Sequence, residues 1–397
     1  EGPYLRARAL LAEGRYREVL ALGLEGTEGR LLRALALERL GRPEEALALA
    51  RGLPLDREVR LLLGRLYLEL GRPLEGVAYL GDTPEEVVLK GRLLLAGGRL
   101  AEAASLLEEV RSRLSPESPL YREALAALAL ARFGRLDGQG GFSLLGELAQ
   151  VENLPGLGLA RLWPWLLCAV AFLGLLVYGE SRIEPLRTVE VVEDPLPGPG
   201  RLYLFALGGL GVALLVSVAT GLGLYGNALA LFTPYQQGVV LPLFHLAYGL
   251  YLFLGLYLWQ RRRFPGLLGP KEAWVEGFWV GPLLLGLLWA YGQVRGFLGL
   301  GGLPPSLLTF LGLALAEPFF RGLVPWVFRE RYRDLALPLA ALFFAVAWPG
   351  PALFLLLVGW LLLRLKERTG GLLGLALGWV VAGVVMGLFP SAWLRRF

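Results

Sequence analysis

The chain has 397 residues, 55% of them hydrophobic, with a mean hydropathy of +0.54 and a formal net charge of +5. A single Cys (Cys168) and a single His (His245) exclude an internal disulfide and the usual His and Cys zinc sets, so neither metal nor cofactor is expected. The averages hide two halves: residues 1–160 hold 21 Lys and Arg against 23 Asp and Glu, whereas residues 161–397 hold 18 against 11, in short clusters between apolar runs. The first half reads as a soluble helical domain and the second as a polytopic membrane domain, giving an all-α protein. The basic surplus belongs to membrane loops, which excludes nucleic acid as the expected partner. Scarce Lys beside abundant Arg, Leu and Gly fits a GC-rich bacterial genome.

Residues 1–154 are punctuated by Gly-Arg dipeptides at Gly14, Gly41, Gly71, Gly98 and Gly134, spaced 27, 30, 27 and 36 residues apart. Each follows one apolar-periodic helix and precedes another, as around Leu40-Gly41-Arg42-Pro43. Glycine ends a helix in the left-handed conformation, and proline suits the first turn of the next. Glycine at the turn with a small residue five positions later (Ala46, Ala103) resembles a tetratricopeptide-like repeat, whose usual period is about 34. That resemblance implies a helical-repeat solenoid with a groove for a peptide or protein partner.

Apolar runs then predict eight spans, near Leu162–Tyr178, Leu202–Leu224, Val239–Trp259, Trp274–Val294, Ser306–Phe328, Leu335–Trp348, Ala352–Leu365 and Gly371–Phe389. Residues 155–306 carry the first four, residues 307–389 form a four-helix core, and residues 390–397 are a basic tail. If every run spans, 13 basic residues fall on one side, among them Arg182, Arg187, Arg201, Arg261–Arg263, Lys271, Arg329, Arg364 and Lys366. Four fall opposite: Arg161, Arg295, Arg395 and Arg396. The basic side is cytoplasmic, so the N-terminal domain is expected outside the cytoplasm, an arrangement that needs an upstream signal or anchor. The absence of an initiator Met is compatible with one. Gly208, Gly211, Gly370, Gly374 and Gly378 are expected to let helices approach closely. The glycine-rich stretches at 208–211 and 299–302 lack the strand and Lys of a phosphate loop.

Within the core, Ala314-Leu-Ala316-Glu317-Pro-Phe-Phe320-Arg321-Gly322 sets an acid and a base four residues apart in an apolar stretch. A carboxylate at that depth is unfavourable by roughly 2.5–3.5 kcal/mol, so it calls for a partner, and Arg321 is expected to form an internal ion pair with Glu317. This segment resembles the first motif of the CPBP family of intramembrane proteases, the CAAX-processing and bacteriocin-processing group. The family's form is Glu-Glu followed after three residues by Arg, usually as Phe-Arg-Gly. Here Ala316 stands for the first glutamate.

The resemblance continues to Phe389. A basic turn (Arg329–Arg333) comes after the motif, then a helix ending Phe344-Ala-Val-Ala-Trp348, where the family has His four residues after Phe. Lys366-Glu-Arg-Thr-Gly-Gly-Leu-Leu leads into the last helix, where Trp379 and Gly383 stand for the family's second His and its Asn or Asp. The family uses its glutamate to deprotonate water and its histidines and Asn or Asp to orient the water or hold the oxyanion. Trp379 offers only an N–H, and Ala and Gly offer no side chain for either task. The resemblance also implies that Trp348 and Trp379 face each other and fill the cavity.

The expected protein is therefore a membrane-embedded binding or scaffold protein of the bacterial cytoplasmic membrane, an inactive relative of such proteases. One alternative is an active intramembrane endopeptidase with Glu317 as general base. A second is a transporter or channel component, drawing on Ser217, Thr220, Asn227, Tyr235, Gln236 and Gln237. His245 lies outside the matched core and reads as a packing residue, and Glu276 as an interfacial anchor beside Trp274.

Overall fold

The computed structural model describes residues 2–151, 154–183, 196–229, 233–268, 275, 277–297, 306–369 and 371–388. Glu276, Trp274, Lys271, Arg187, Gly370, the 299–302 glycines and the basic tail lie outside the described residues. Every regular element among those described is helical. The chain divides into two compact units, one of residues 1–154 with 218–240 and one of residues 155–217 with 241–397.

The first unit begins with ten helices: α1 (Gly2–Ala12), α2 (Tyr16–Ala21), α3 (Gly26–Arg39), α4 (Pro43–Ala50), α5 (Arg57–Glu69), α6 (Pro73–Val77), α7 (Pro84–Ala96), α8 (Leu100–Arg113), α9 (Pro119–Gly134) and α10 (Gly138–Val151). They fall into five pairs, and a Gly-Arg dipeptide stands at the turn inside each. All five turns close by the same hydrogen bond, in which an N–H reaches the carbonyl five residues back: Arg15 to Leu10, Arg42 to Leu37, Arg72 to Tyr67, Arg99 to Leu94, and Asp137 to Arg132. That bond requires a left-handed residue just before the donor. Gly14, Gly41, Gly71 and Gly98 supply it, with φ between 69° and 78°.

The fifth turn is shifted by two residues. Its left-handed residue is Leu136, at φ 62°, and Gly134 is the last residue of α9. Gly134 is required for another reason: a Cβ there would lie 2.5 Å from Oδ1 of Asn227. Asn227 belongs to the 218–240 segment, which closes the ends of two N-terminal helices. Its Nδ2 donates to Leu95 O (3.4 Å), Gln236 Nε2 donates to Ala96 O (2.7 Å), and Ala228 N–H donates to Gly134 O (3.3 Å). The last carbonyls of a helix have no partner inside it, so these groups satisfy acceptors at the ends of α7 and α9.

Apolar side chains of this unit gather in a succession of local clusters, among them one on α1–α3, one on α3–α5 and one on α7–α9. Arginine–glutamate pairs stitch neighbouring pairs of helices together. Arg65 Nε donates to Glu38 Oε1 and Arg60 Nε to Glu86 Oε1, each at 2.6 Å.

The second unit has one continuous apolar core. Its helices are α11 (Leu154–Ser181), α12 (Pro199–Tyr225, with its last turns in the first unit), α13 (Pro234–Trp259, likewise shared), α14 (Phe264–Leu268), α15 (Gly277–Phe297), α16 (Leu307–Glu317), α17 (Val324–Tyr332), α18 (Ala336–Ala347), α19 (Ala352–Thr369) and α20 (Leu373–Leu388). Among the described residues four stretches are long and apolar enough to cross a membrane: Leu162–Ser181, Pro199–Tyr225, Gln236–Trp259 and Leu307–Ala347.

The last stretch is 41 residues long, about 60 Å if straight, twice the hydrocarbon thickness. It folds back at Arg333, whose φ of 47° breaks the helix between α17 and α18. Only 17% of the apolar window of Leu162–Ser181 is buried in protein, against 72% for Leu307–Ala347. The first is therefore peripheral and the second lies at the centre of its unit.

Glycine sets the closest helix crossing. A Cβ on Gly312 of α16 would collide with the His245 carbonyl of α13, and one on Gly249 would collide with the Gly312 carbonyl. Gly208 and Gly378 meet side chains instead, those of Tyr251 and Val280, whereas Gly211 faces open space.

Candidate functional site

Glu317 ends α16, and Pro318 is the next residue. Proline has no N–H and its ring crowds the carbonyl four residues back, so an α-helix cannot continue unchanged. The chain answers with a π-helical turn over Pro318–Leu323, closed by the Val324 N–H donating to Phe319 O five residues back. Such turns insert one extra residue and rotate the next stretch of helix about its axis.

The rotation explains the geometry of the pair. Arg321 Nε lies 3.8 Å from Glu317 Oε2, close enough for an ion pair, yet no hydrogen bond joins them. Both side chains are 1% exposed. The guanidinium lies over the Phe344 ring, 3.8 Å from its centroid, a cation–π contact in place of a carboxylate fork. Among the described residues neither Glu317 Oε2 nor any of the three Arg321 nitrogens has a hydrogen-bond partner. The Arg321 carbonyl does have one, the Lys366 ammonium. The residue four positions after Arg321 is Pro325, which has no N–H to give, so the lysine supplies the missing donor.

Trp379, on α20, is 1% exposed, and its indole N–H donates to Glu317 Oε1 at 2.7 Å. Its ring packs on Phe310, 6.0 Å between centroids. Trp348, just past the end of α18, is 2% exposed and joins another aromatic group: His245 (5.7 Å), Tyr248 (5.2 Å), Phe320 (6.3 Å) and Phe344 (6.4 Å). No ring contact between the two indoles occurs among the described residues. The face-to-face arrangement expected from the resemblance is replaced by a chain of contacts, from Trp379 to Glu317, Arg321, Phe344 and Trp348.

Ala316 is buried on α16 and contributes only a methyl group. Gly383 is a packing residue, since a Cβ there would stand 2.8 Å from Cβ of Phe310 on α16. A side chain as large as Asn would push α20 away from α16.

His245 joins this site from α13, although the sequence places it 72 residues before Glu317. Its Nε2 lies 2.9 Å from Pro349 O and its Nδ1 2.8 Å from Leu241 O, while Tyr248 Oη donates to Ala347 O at 3.2 Å. Tyr248 thus serves a carbonyl that α18 leaves open at its last residue, and His245 reaches one two residues further on.

Three of the polar residues considered for a pore have other occupations. Asn227 and Gln236 are bonded to helix ends of the first unit, and Ser217 Oγ donates to Ala213 O of its own helix. Among the described residues no three His, Cys, Asp or Glu side chains gather as they would around a metal ion. The chain matches no protein-family model, no curated protein and no solved structure.

Proposed function

We propose that this is an integral protein of the bacterial cytoplasmic membrane whose core, residues 307–389, is a CPBP-type protease domain without catalytic capacity. Its N-terminal helical repeats form a solenoid that holds a peptide or protein partner. The supporting observation is the hydrogen bond from the Trp379 indole to Glu317. An indole N–H occupies the carboxylate oxygen where the family's chemistry needs an imidazole, and it can neither accept a proton nor pass one on. The eight apolar runs correspond to α11, α12, α13, α15, α16 with α17, α18, α19 and α20, giving eight spans.

The N-terminal domain belongs outside the cytoplasm. Asn227 and Gln236 come after it by two proposed spans, α11 and α12, and bond to its helix ends, which supports both lying on one side. The basic turns at Arg261–Arg263 and Arg329–Arg333 then face the cytoplasm.

A second reading, an active endopeptidase with Glu317 as base, is favoured by Glu317 Oε2 and the Arg321 guanidinium, which carry no hydrogen bond among the described residues. Both readings meet one experiment. Purified protein and Glu317→Gln are incubated with a transmembrane peptide substrate, and cleavage is followed by mass spectrometry. Equal background rates support the non-catalytic reading; cleavage by the unaltered protein that disappears in the variant supports the enzyme.

A further inference from the structure

The turn between α9 and α10 carries two features that packing within the first unit does not account for. Its left-handed residue is Leu136, where the four other turns use glycine, and that leucine is 67% exposed. Phe142, on the second turn of α10, is 70% exposed and makes an edge-on contact with Phe133, 5.1 Å between centroids. A β-carbon in the left-handed region is unfavourable, and a large apolar side chain in water adds to that. A turn that faced only solvent would be better served by Gly or Asn.

The surroundings identify an occupant. Arg132 and Arg135 flank the same turn, and its one acid, Asp137, is engaged with Arg132 (3.4 Å) and with the Gly140 N–H (2.9 Å). Both arginines also line a surface hollow with Glu108 and Glu109 of α8, but exposed apolar tips beside arginines suit the lipid headgroup layer, where the tips meet acyl chains and the guanidinium groups meet phosphates. The turn is also tied to a membrane helix: Gly134 O accepts from Ala228 N–H, three residues after the end of α12. At 27 residues, about 40 Å, α12 exceeds the roughly 30 Å hydrocarbon layer, so its end reaches headgroup depth.

We propose that Leu136 and Phe142 insert into the headgroup layer of the bilayer, making the α9–α10 turn an interfacial anchor of the N-terminal unit. The occupant is lipid, and contact with a partner protein or a second copy of this chain is an outcome that overturns the proposal.

The test uses the full chain with Cys168, the single native cysteine, replaced (Cys168→Ala). Nitroxide labels are placed through Leu136→Cys and, separately, Phe142→Cys, with Leu55→Cys, 53% exposed in the α4–α5 connection, as the solvent reference. Each is reconstituted in nanodiscs of mixed phosphatidylcholine and phosphatidylglycerol. The ratio of oxygen to water-soluble nickel accessibility is read by electron paramagnetic resonance. The expected result is a several-fold higher ratio at 136 and 142 than at 55. Nickel accessibility like that at 55 at both positions overturns the proposal, and so does low accessibility to both reagents, which marks protein contact. Two labelled positions keep the test decisive if one variant fails to fold.

Discussion

Among the described residues Glu317 keeps one hydrogen bond in a protein interior, and a tryptophan supplies it. The sequence makes the acid and the arginine visible, because four-residue spacing in an apolar run puts opposite charges on one helix face. It also shows that the expected imidazoles are absent. What it hides is the consequence of Pro318: one π-turn moves Arg321 off the carboxylate and onto Phe344. Pro325 hides a second consequence, the recruitment of Lys366 to the Arg321 carbonyl. Both are readable in principle, since each stems from a proline lacking an N–H at a fixed distance from a functional residue. The position of His245 beside Trp348 is not, because it depends on a glycine-to-backbone crossing of helices distant in the chain. At this scale Trp379→Phe leaves Glu317 Oε1 without its donor. It is expected to lower stability in detergent by about 1–3 kcal/mol, seen as a lower Tm. In a Glu317→Leu background, where there is no acceptor to strand, the same substitution should lose most of that effect.

The elements of the first unit are the most legible part of the chain. Five of its eight Gly-Arg dipeptides stand at its turns, where one hydrogen-bond pattern demands one backbone conformation, while those at Gly29, Gly64 and Gly91 lie inside helices. The exception at Gly134 is hidden, since its glycine answers to Asn227, 93 residues away in sequence. The same unit offers a pH test. Glu86 lies on α7, where burial pushes its carboxyl up. The bonds from Arg60 and from the Thr83 hydroxyl, with backbone N–H groups of Thr83 and Gly81, outweigh burial and hold it down at about 2. A carboxyl lowered from an ordinary 4.5 adds stability above that pH, and the addition is lost as pH falls toward 2. Hydrogen exchange of peptides from α5–α7, compared between the native chain and Glu86→Gln at matched pH, should show native protection well above the variant at pH 6. The difference should shrink between pH 4.5 and 2. A gap that stays constant across that range would contradict the assignment to Glu86.

For the whole molecule, composition separates a charged half from an apolar half, but chain order does not reveal that residues 218–240 pack with the first half. Hydropathy cannot supply that: the segment reads as the ends of two apolar runs, and only the bonded amides of Asn227 and Gln236 show its attachment. The proposed orientation has a direct check. A membrane-impermeant maleimide applied to spheroplasts should label Leu5→Cys without lysis and Arg262→Cys only after permeabilisation, both in a Cys168→Ala background. The reverse pattern would refute the orientation.

Where α13 passes α16, peptide groups meet with no side chain between them, because neither Gly249 nor Gly312 has room for one. Side chains elsewhere can change rotamer to let helices slide, but bare main chain offers no such freedom, so the tilt between these two helices is locked. In a thinner or thicker bilayer, adjustment must then fall to segments held loosely by their neighbours, such as Leu162–Ser181. The centre would keep its shape while the periphery leans.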